Sequence, residues 1–186
     1  MKSPTPRKSK PGWSDIKVRV AGFDHAGLLG LVQDLYAASK DNQAFLHARF
    51  AVAEDALKPY KATIRRWLWP EVFKKQDTSV SAAKKAIADY RKAVGRPVEL
   101  AELMVFYCEQ AAGFSNAVGL QDEGYFNALV RMFEQALKQA NALAVEERDE
   151  LAVRLDDVRR TCSNFGYGVS DDMGDLMADA GFTDLL

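Results

Sequence analysis

The sequence predicts an all-α fold, a single-domain antiparallel helical array of seven or eight helices, and three observations carry that expectation. Apolar residues recur at helical spacing almost everywhere from Trp13 onward. Runs that are both period-two and β-branched are nearly absent, IKVRV at Ile16 to Val20 being the exception. Capping and breaking residues also fall where the apolar pattern starts and stops. A chain of 186 residues suffices for one ordinary domain, which removes about 70% of the unfolded surface from water. Residues 1–12 hold three of the six prolines and four basic groups with hardly any apolar side chain, so they are expected to be a disordered basic tail. Residues 13–186 are expected to form the single helical domain.

The elements follow in order. Ile16 to Val20 is expected as a short helix capped by Ser14, because a lone five-residue strand would have no ladder partner. Asp24 caps a helix whose apolar face is Leu28, Leu31, Val32, Leu35 and Tyr36, and Phe45, Leu46 and Phe50 continue it beyond the polar interruption SKDNQ. A segment from about Ala56 to Trp69 accepts Pro59 only in its first turn and ends before Pro70. Ser79 opens a helix with Val80, Ala83, Ile87, Tyr90 and Val94 on one stripe and Lys84, Lys85, Arg91 and Lys92 on the other side; Gly95 and Pro97 stop it. Val98 to about Ala117 is so apolar that it reads as the central helix. Asp122 caps the next, with Phe126, Leu129, Val130, Phe133 and Leu137 on one face and Glu123 opposing the positive end of its dipole. Leu151 to Phe165, ended by Gly166, and a short helix with Met173, Leu176, Met177 and Ala180 complete the array.

The charge is divided along the chain. Residues 1–97 carry a net charge of +10 and residues 98–186 a net of −11, a strong dipole that steers partners without deciding the fold. Cys108 and Cys162 both sit in apolar helical patterns, so they are expected as buried thiols in a reducing, cytoplasmic setting. The tail lacks the apolar stretch of a secretory signal, and no run approaches the roughly 18 apolar residues of a membrane span. A soluble protein with no membrane partner is expected.

The segments YKATIRRWLWP, SAAKKAIADYRK, LMVFYCEQAAGFSNAVGLQDEGYFNALVRMFEQAL and GYGVSDDMGDL occur in that order. In this succession the chain resembles a bacterial family of small helical proteins catalogued only as a domain of unknown function. The likeness covers roughly Ser14 to Leu176 and leaves the basic tail outside. It implies an all-helical fold and carries no activity, substrate or site.

Two stretches are candidates for function. Lys58, Lys61, Arg65, Arg66, Lys74, Lys75, Lys84, Lys85, Arg91 and Lys92 lie in a segment of net charge +8, residues 58–96. Trp67 and Trp69, with Tyr60, Phe73 and Tyr90, are interleaved there. Cations that neutralise phosphate beside aromatic faces that stack on bases are the equipment for RNA or single-stranded DNA. The alternative is a solvated helix face with tryptophans packed on the core. Asn116, Asp122, Glu123, Tyr125 and Asn127 form a polar, aromatic cluster suited to a partner surface as well as to a helix-connecting turn.

Chemistry finds less support. The two histidines, His25 and His47, stand in no ligand spacing; the acids Glu99, Glu102 and Glu109 and those of Asp171 to Asp179 have a dipole explanation. No catalytic residue, metal or small-molecule cofactor is therefore expected. Arg19 and His25 have the Arg-x(4 to 6)-His spacing of certain helical ribonucleases, but the pair spans an expected helix boundary. No phosphate loop or nucleophile elbow is visible. The expected function is a non-enzymatic binding or adaptor protein engaging a protein partner or a second copy of itself. Nucleic-acid binding through residues 58–96 is the alternative, and a helical ribonuclease-like enzyme the third reading.

Overall fold

The computed structural model describes residues 10–52, 55–71, 74 and 76–182. Most of the expected tail, together with Phe73 and Lys75, lies outside the described residues. Among the described residues there are nine helices and no strand. They are α1 (Trp13–Val20), α2 (His25–Ala38), α3 (Lys40–Arg49), α4 (Lys58–Leu68) and α5 (Val80–Ala93), then α6 (Pro97–Val118), α7 (Glu123–Ala140), α8 (Val145–Thr161) and α9 (Val169–Asp179). The count exceeds the expected seven or eight because SKDNQ is a break. Ser39 is extended, and its hydroxyl accepts the Asn42 N–H at 3.1 Å, capping α3 as a helix of its own. The chain divides into two compact units, one ending at Gln43 and the other beginning at Ala44.

In the first unit, α1 starts one residue before the expected cap. Gly12 takes the cap position, and the Asp15 carboxylate accepts the Gly12 N–H at 2.7 Å. Asp24 caps α2 as expected, accepting the Gly27 N–H at 2.7 Å. The apolar stripe on α2 is present, yet none of the helix's fourteen residues is buried.

The second unit holds the core. Its centre is α6, which packs against α4, α5, α7 and α8 and buries eleven of its 22 residues. The helix starts at Pro97, where a missing N–H costs nothing, and ends on Gly119 in the left-handed conformation. Ser79 caps α5, accepting the Ala82 N–H, while its own N–H donates to the Trp67 carbonyl at 3.0 Å and ties α5 to the end of α4. The buried face of α5 is Ala83, Ala86, Ile87, Tyr90 and Ala93. Gly95 follows at φ +68°, where a Cβ would stand 2.8 Å from the Arg91 carbonyl oxygen, so the stop needs glycine.

On α7, Tyr125, Phe126, Leu129, Phe133 and Leu137 are buried, and Asp122 caps the helix through the Tyr125 N–H at 2.6 Å. The next helix, α8, begins at Val145, earlier than expected, and stops at Thr161, before Phe165. Its cap residue, Ala144, has no polar side chain. Asp156 on α8 is buried with its charge held by Arg159 at 2.7 Å and Arg160 at 2.6 Å. Cys108 and Cys162 are free and fully buried. Burial pushes the Cys162 thiol up to about 12 and, with Cys162 and Glu109 nearby, raises Cys108 well above the usual thiol range. Among the described residues no helix is long and apolar enough to cross a membrane.

Candidate functional site

The basic segment is placed on α4, α5 and their flanks, where much of its charge is already partnered. Lys61 reaches Glu102 at 2.6 Å, Lys74 reaches Glu71 at 2.6 Å and Lys85 reaches Asp89 at 2.5 Å. Arg96 meets Glu99 at 3.1 Å. The Arg66 guanidinium covers one face of Trp67, 4.6 Å from its centroid. Trp69 packs edge-on against Phe114 and lies over Gly113, whose missing Cβ would fall 2.4 Å from the ring. Tyr60 and Tyr90 are buried and meet edge-to-face at 5.3 Å. Tyr60 and Tyr90 thus serve the core, Trp67 packs at its edge, and Trp69 stays part-exposed while resting on α6. Lys58, Arg65, Arg91 and Lys92 remain exposed, with no ion-pair partner among the described residues.

Lys84 departs from its expected place on the solvent side of α5. It lies on the flank of the stripe, half-buried, and burial followed by the nearby Arg131 guanidinium lowers its pKa. Of the second candidate cluster, Asn116, Glu123 and Asn127 are exposed and Asp122 is a helix cap. Tyr125, expected on the surface, is buried: its hydroxyl donates to the Leu68 carbonyl at 3.1 Å and fastens α7 to α4. Arg19 lies in the last turn of α1 and His25 opens α2, both exposed.

The structure brings together a group that spacing did not single out. Glu102 and Glu109, two turns apart on α6, both receive hydrogen bonds from Arg154 of α8, and Glu102 also receives one from Lys61 of α4. The four charges are each about a quarter exposed, and they bind three helices together. Burial alone would raise the Glu102 pKa, but the hydrogen bonds and charges of Arg154 and Lys61 outweigh it and lower the pKa below the ordinary 4.5. Glu99, three residues earlier, is moved the other way by burial and by Asp55. A carboxylate with a depressed folded pKa adds stability above its unfolded pKa and loses it as pH falls through the folded value. Glu102→Gln is therefore expected to lower stability by about 1–2 kcal/mol at neutral pH. That deficit should shrink as the pH drops below 4.5. Urea midpoints measured against pH check this; a deficit independent of pH would remove Glu102 from the clamp.

Beside the clamp, Glu109, Gly113, Arg154, Asp157 and Thr161 line a cleft of about 160 Å³. A second groove, about 310 Å³, is lined by Arg131, Glu134, Asp172, Asp175 and Asp179. Among the described residues no group of three or more His, Cys, Asp or Glu side chains is arranged to hold a metal ion.

The most distinctive surface is on the first unit. Leu28, Val32, Leu35 and Tyr36 stand on one side of α2 and are 38–50% exposed; Leu29 on the flank is 58% exposed and Phe23, just before the helix, 48%. Gln33 and Asp34 occupy the opposite side. No family model, curated protein or solved structure matches the chain.

Proposed function

We propose that this protein is a non-enzymatic helical binding module whose first unit docks on another protein. One observation carries the reading: α2 is a fourteen-residue helix with a continuous apolar stripe and no buried residue. An isolated helix of that length is marginal in water, and a contiguous exposed apolar patch marks an interaction surface. The nucleic-acid alternative has weaker support, because Lys61, Lys74, Lys85 and Arg96 are paired with acids and Trp67 and Trp69 are engaged in packing. Among the described residues the partly neutralised strip leaves Lys58, Arg65, Arg91 and Lys92 exposed without an ion-pair partner, which suits solubility as well as steering.

The test is recovery of partners by the full chain with and without nuclease, alongside a Val32→Asp variant. A nuclease-resistant protein partner, lost on the substitution, is the expected result. Retention of the chain on RNA or single-stranded DNA at physiological salt, abolished by reversing Arg65 and Arg91 and indifferent to Val32→Asp, would reject it.

A further inference from the structure

We propose that the cleft between α6 and α8 is a docking pocket for one arginine side chain of a partner protein, its guanidinium held by Asp157 and flanked by Trp69. The pocket lies wholly in the second unit, so it stands apart from the role assigned to α2. Its volume of about 160 Å³ is room for about five waters at roughly 30 Å³ each. Pockets for drug-sized ligands run to about 300–1,000 Å³. A single side chain is therefore the class of occupant that fits.

The lining decides the sign of that side chain. Glu109, Arg154 and Asp157 are the charged groups around the cleft, which leaves one net negative charge. Arg154 is engaged by Glu109 and Glu102, and Glu102 is also held by Lys61. Asp157 has no ion pair among the described residues. Its neighbour Thr161 donates to the Asp157 backbone carbonyl at 2.8 Å, which leaves both carboxylate oxygens to a ligand. The helix dipole does not account for this acid, because it stands one turn from the C-terminal end of α8, where a negative charge is disfavoured. A monocation restores neutrality. The walls then choose between the two cationic side chains. Ala112 and Val158 give an apolar flank for the stem. Gly113 lines the cleft and also lies under Trp69, so the ring stands at its edge, 40% exposed. A planar, weakly hydrated guanidinium stacks on an indole and takes both oxygens of one carboxylate, whereas an ammonium is a strongly hydrated point charge.

The experiment titrates the full chain with N-acetyl-arginine methylamide and follows amide and indole N–H resonances by heteronuclear NMR. Saturable shifts at Gly113, Asp157, Thr161 and the Trp69 indole are expected, with a Kd on the order of millimolar. Asp157→Asn should weaken binding at least about tenfold, because it removes the charge and one acceptor of the fork. Asp157 is exposed, so the thermal melt of this variant should match that of the wild type. Glu147→Gln makes the same change of charge earlier on α8, about 15 Å away, and should leave binding unchanged. The matching lysine probe should bind more weakly, and the citrulline probe, neutral and of nearly the same shape, should not bind. Absence of shifts at the four named residues overturns the pocket. Equal weakening by Asp157→Asn and Glu147→Gln overturns it as well, since a diffuse acidic field would then hold the probe. A lysine or citrulline probe that binds as tightly as the arginine one overturns the guanidinium assignment.

Discussion

Ile87→Asp is expected to abolish most of the folding stability of the second unit, while Lys84→Asp, three residues away, leaves it unchanged or slightly higher. Ile87 is 4% exposed on the buried face of α5, in a core that includes Ala83, Tyr90 and the α6 side chains. A carboxylate there is either charged without a partner or protonated without an acceptor, a cost of several kcal/mol against a domain stability of roughly 5–15 kcal/mol. Because the folded pKa of that new carboxyl would be raised, the variant should regain part of its stability as the pH falls. At Lys84 the sign is opposite. Its ammonium is half-buried beside the Arg131 guanidinium, so an aspartate replaces a repulsion with an attraction. Thermal melts of the two variants decide the matter; equal midpoints would show that the buried face of α5 is assigned incorrectly.

Gly113→Ala is the second large effect, and its sign depends on a neighbour. In an open helix the change adds about 1 kcal/mol of stability through helix propensity. Within α6 the new Cβ would lie 2.4 Å from Cζ3 of Trp69, a rigid ring carried at the end of α4 and packed on Phe114. Either the ring swings out and loses its contact or α6 shifts, a penalty of about 1–3 kcal/mol that exceeds the propensity gain. The single variant should therefore be destabilised by about 1–2 kcal/mol. With Trp69→Ala already present, the same Gly113→Ala step should become stabilising. Denaturant midpoints of the four proteins in this cycle measure the coupling. Additive effects would show that the ring does not depend on the glycine.

Much of the fold was legible because local and tertiary preferences agree. Asp24, Ser79 and Asp122 each accept an N–H from the first turn of the helix they precede, and the stripe from Ala83 to Tyr90 is the buried one. The misplaced boundaries are those without such a signal. Ala144 opens α8 with no side-chain cap, leaving only Glu146 and Glu147 in the first turn to mark it. Ser39 was hidden inside a polar run that looked like an interruption and is a cap.

The candidate site was less legible, for a physical reason. Whether a cation is free or paired depends on a carboxylate delivered by another helix: Glu102 lies 41 residues from Lys61 and 52 from Arg154. Tyr125 reads as a surface aromatic until Leu68, 57 residues away, presents its carbonyl. The apolar stripe of α2 was readable from Leu28 to Tyr36. Its exposure was not, since spacing alone says that a face is apolar and nothing about what covers it.

The two buried thiols have a practical bearing on how this molecule can be followed over time. Alkylating reagents attack the thiolate, and both Cys108 and Cys162 are inaccessible and held protonated at neutral pH. Labelling of the native chain must therefore wait for the second unit to open, and its rate, compared with that of an unfolded thiol, reads the free energy of that opening without any added probe. Neither thiol belongs to the first unit, whose fraying stays silent in such an assay.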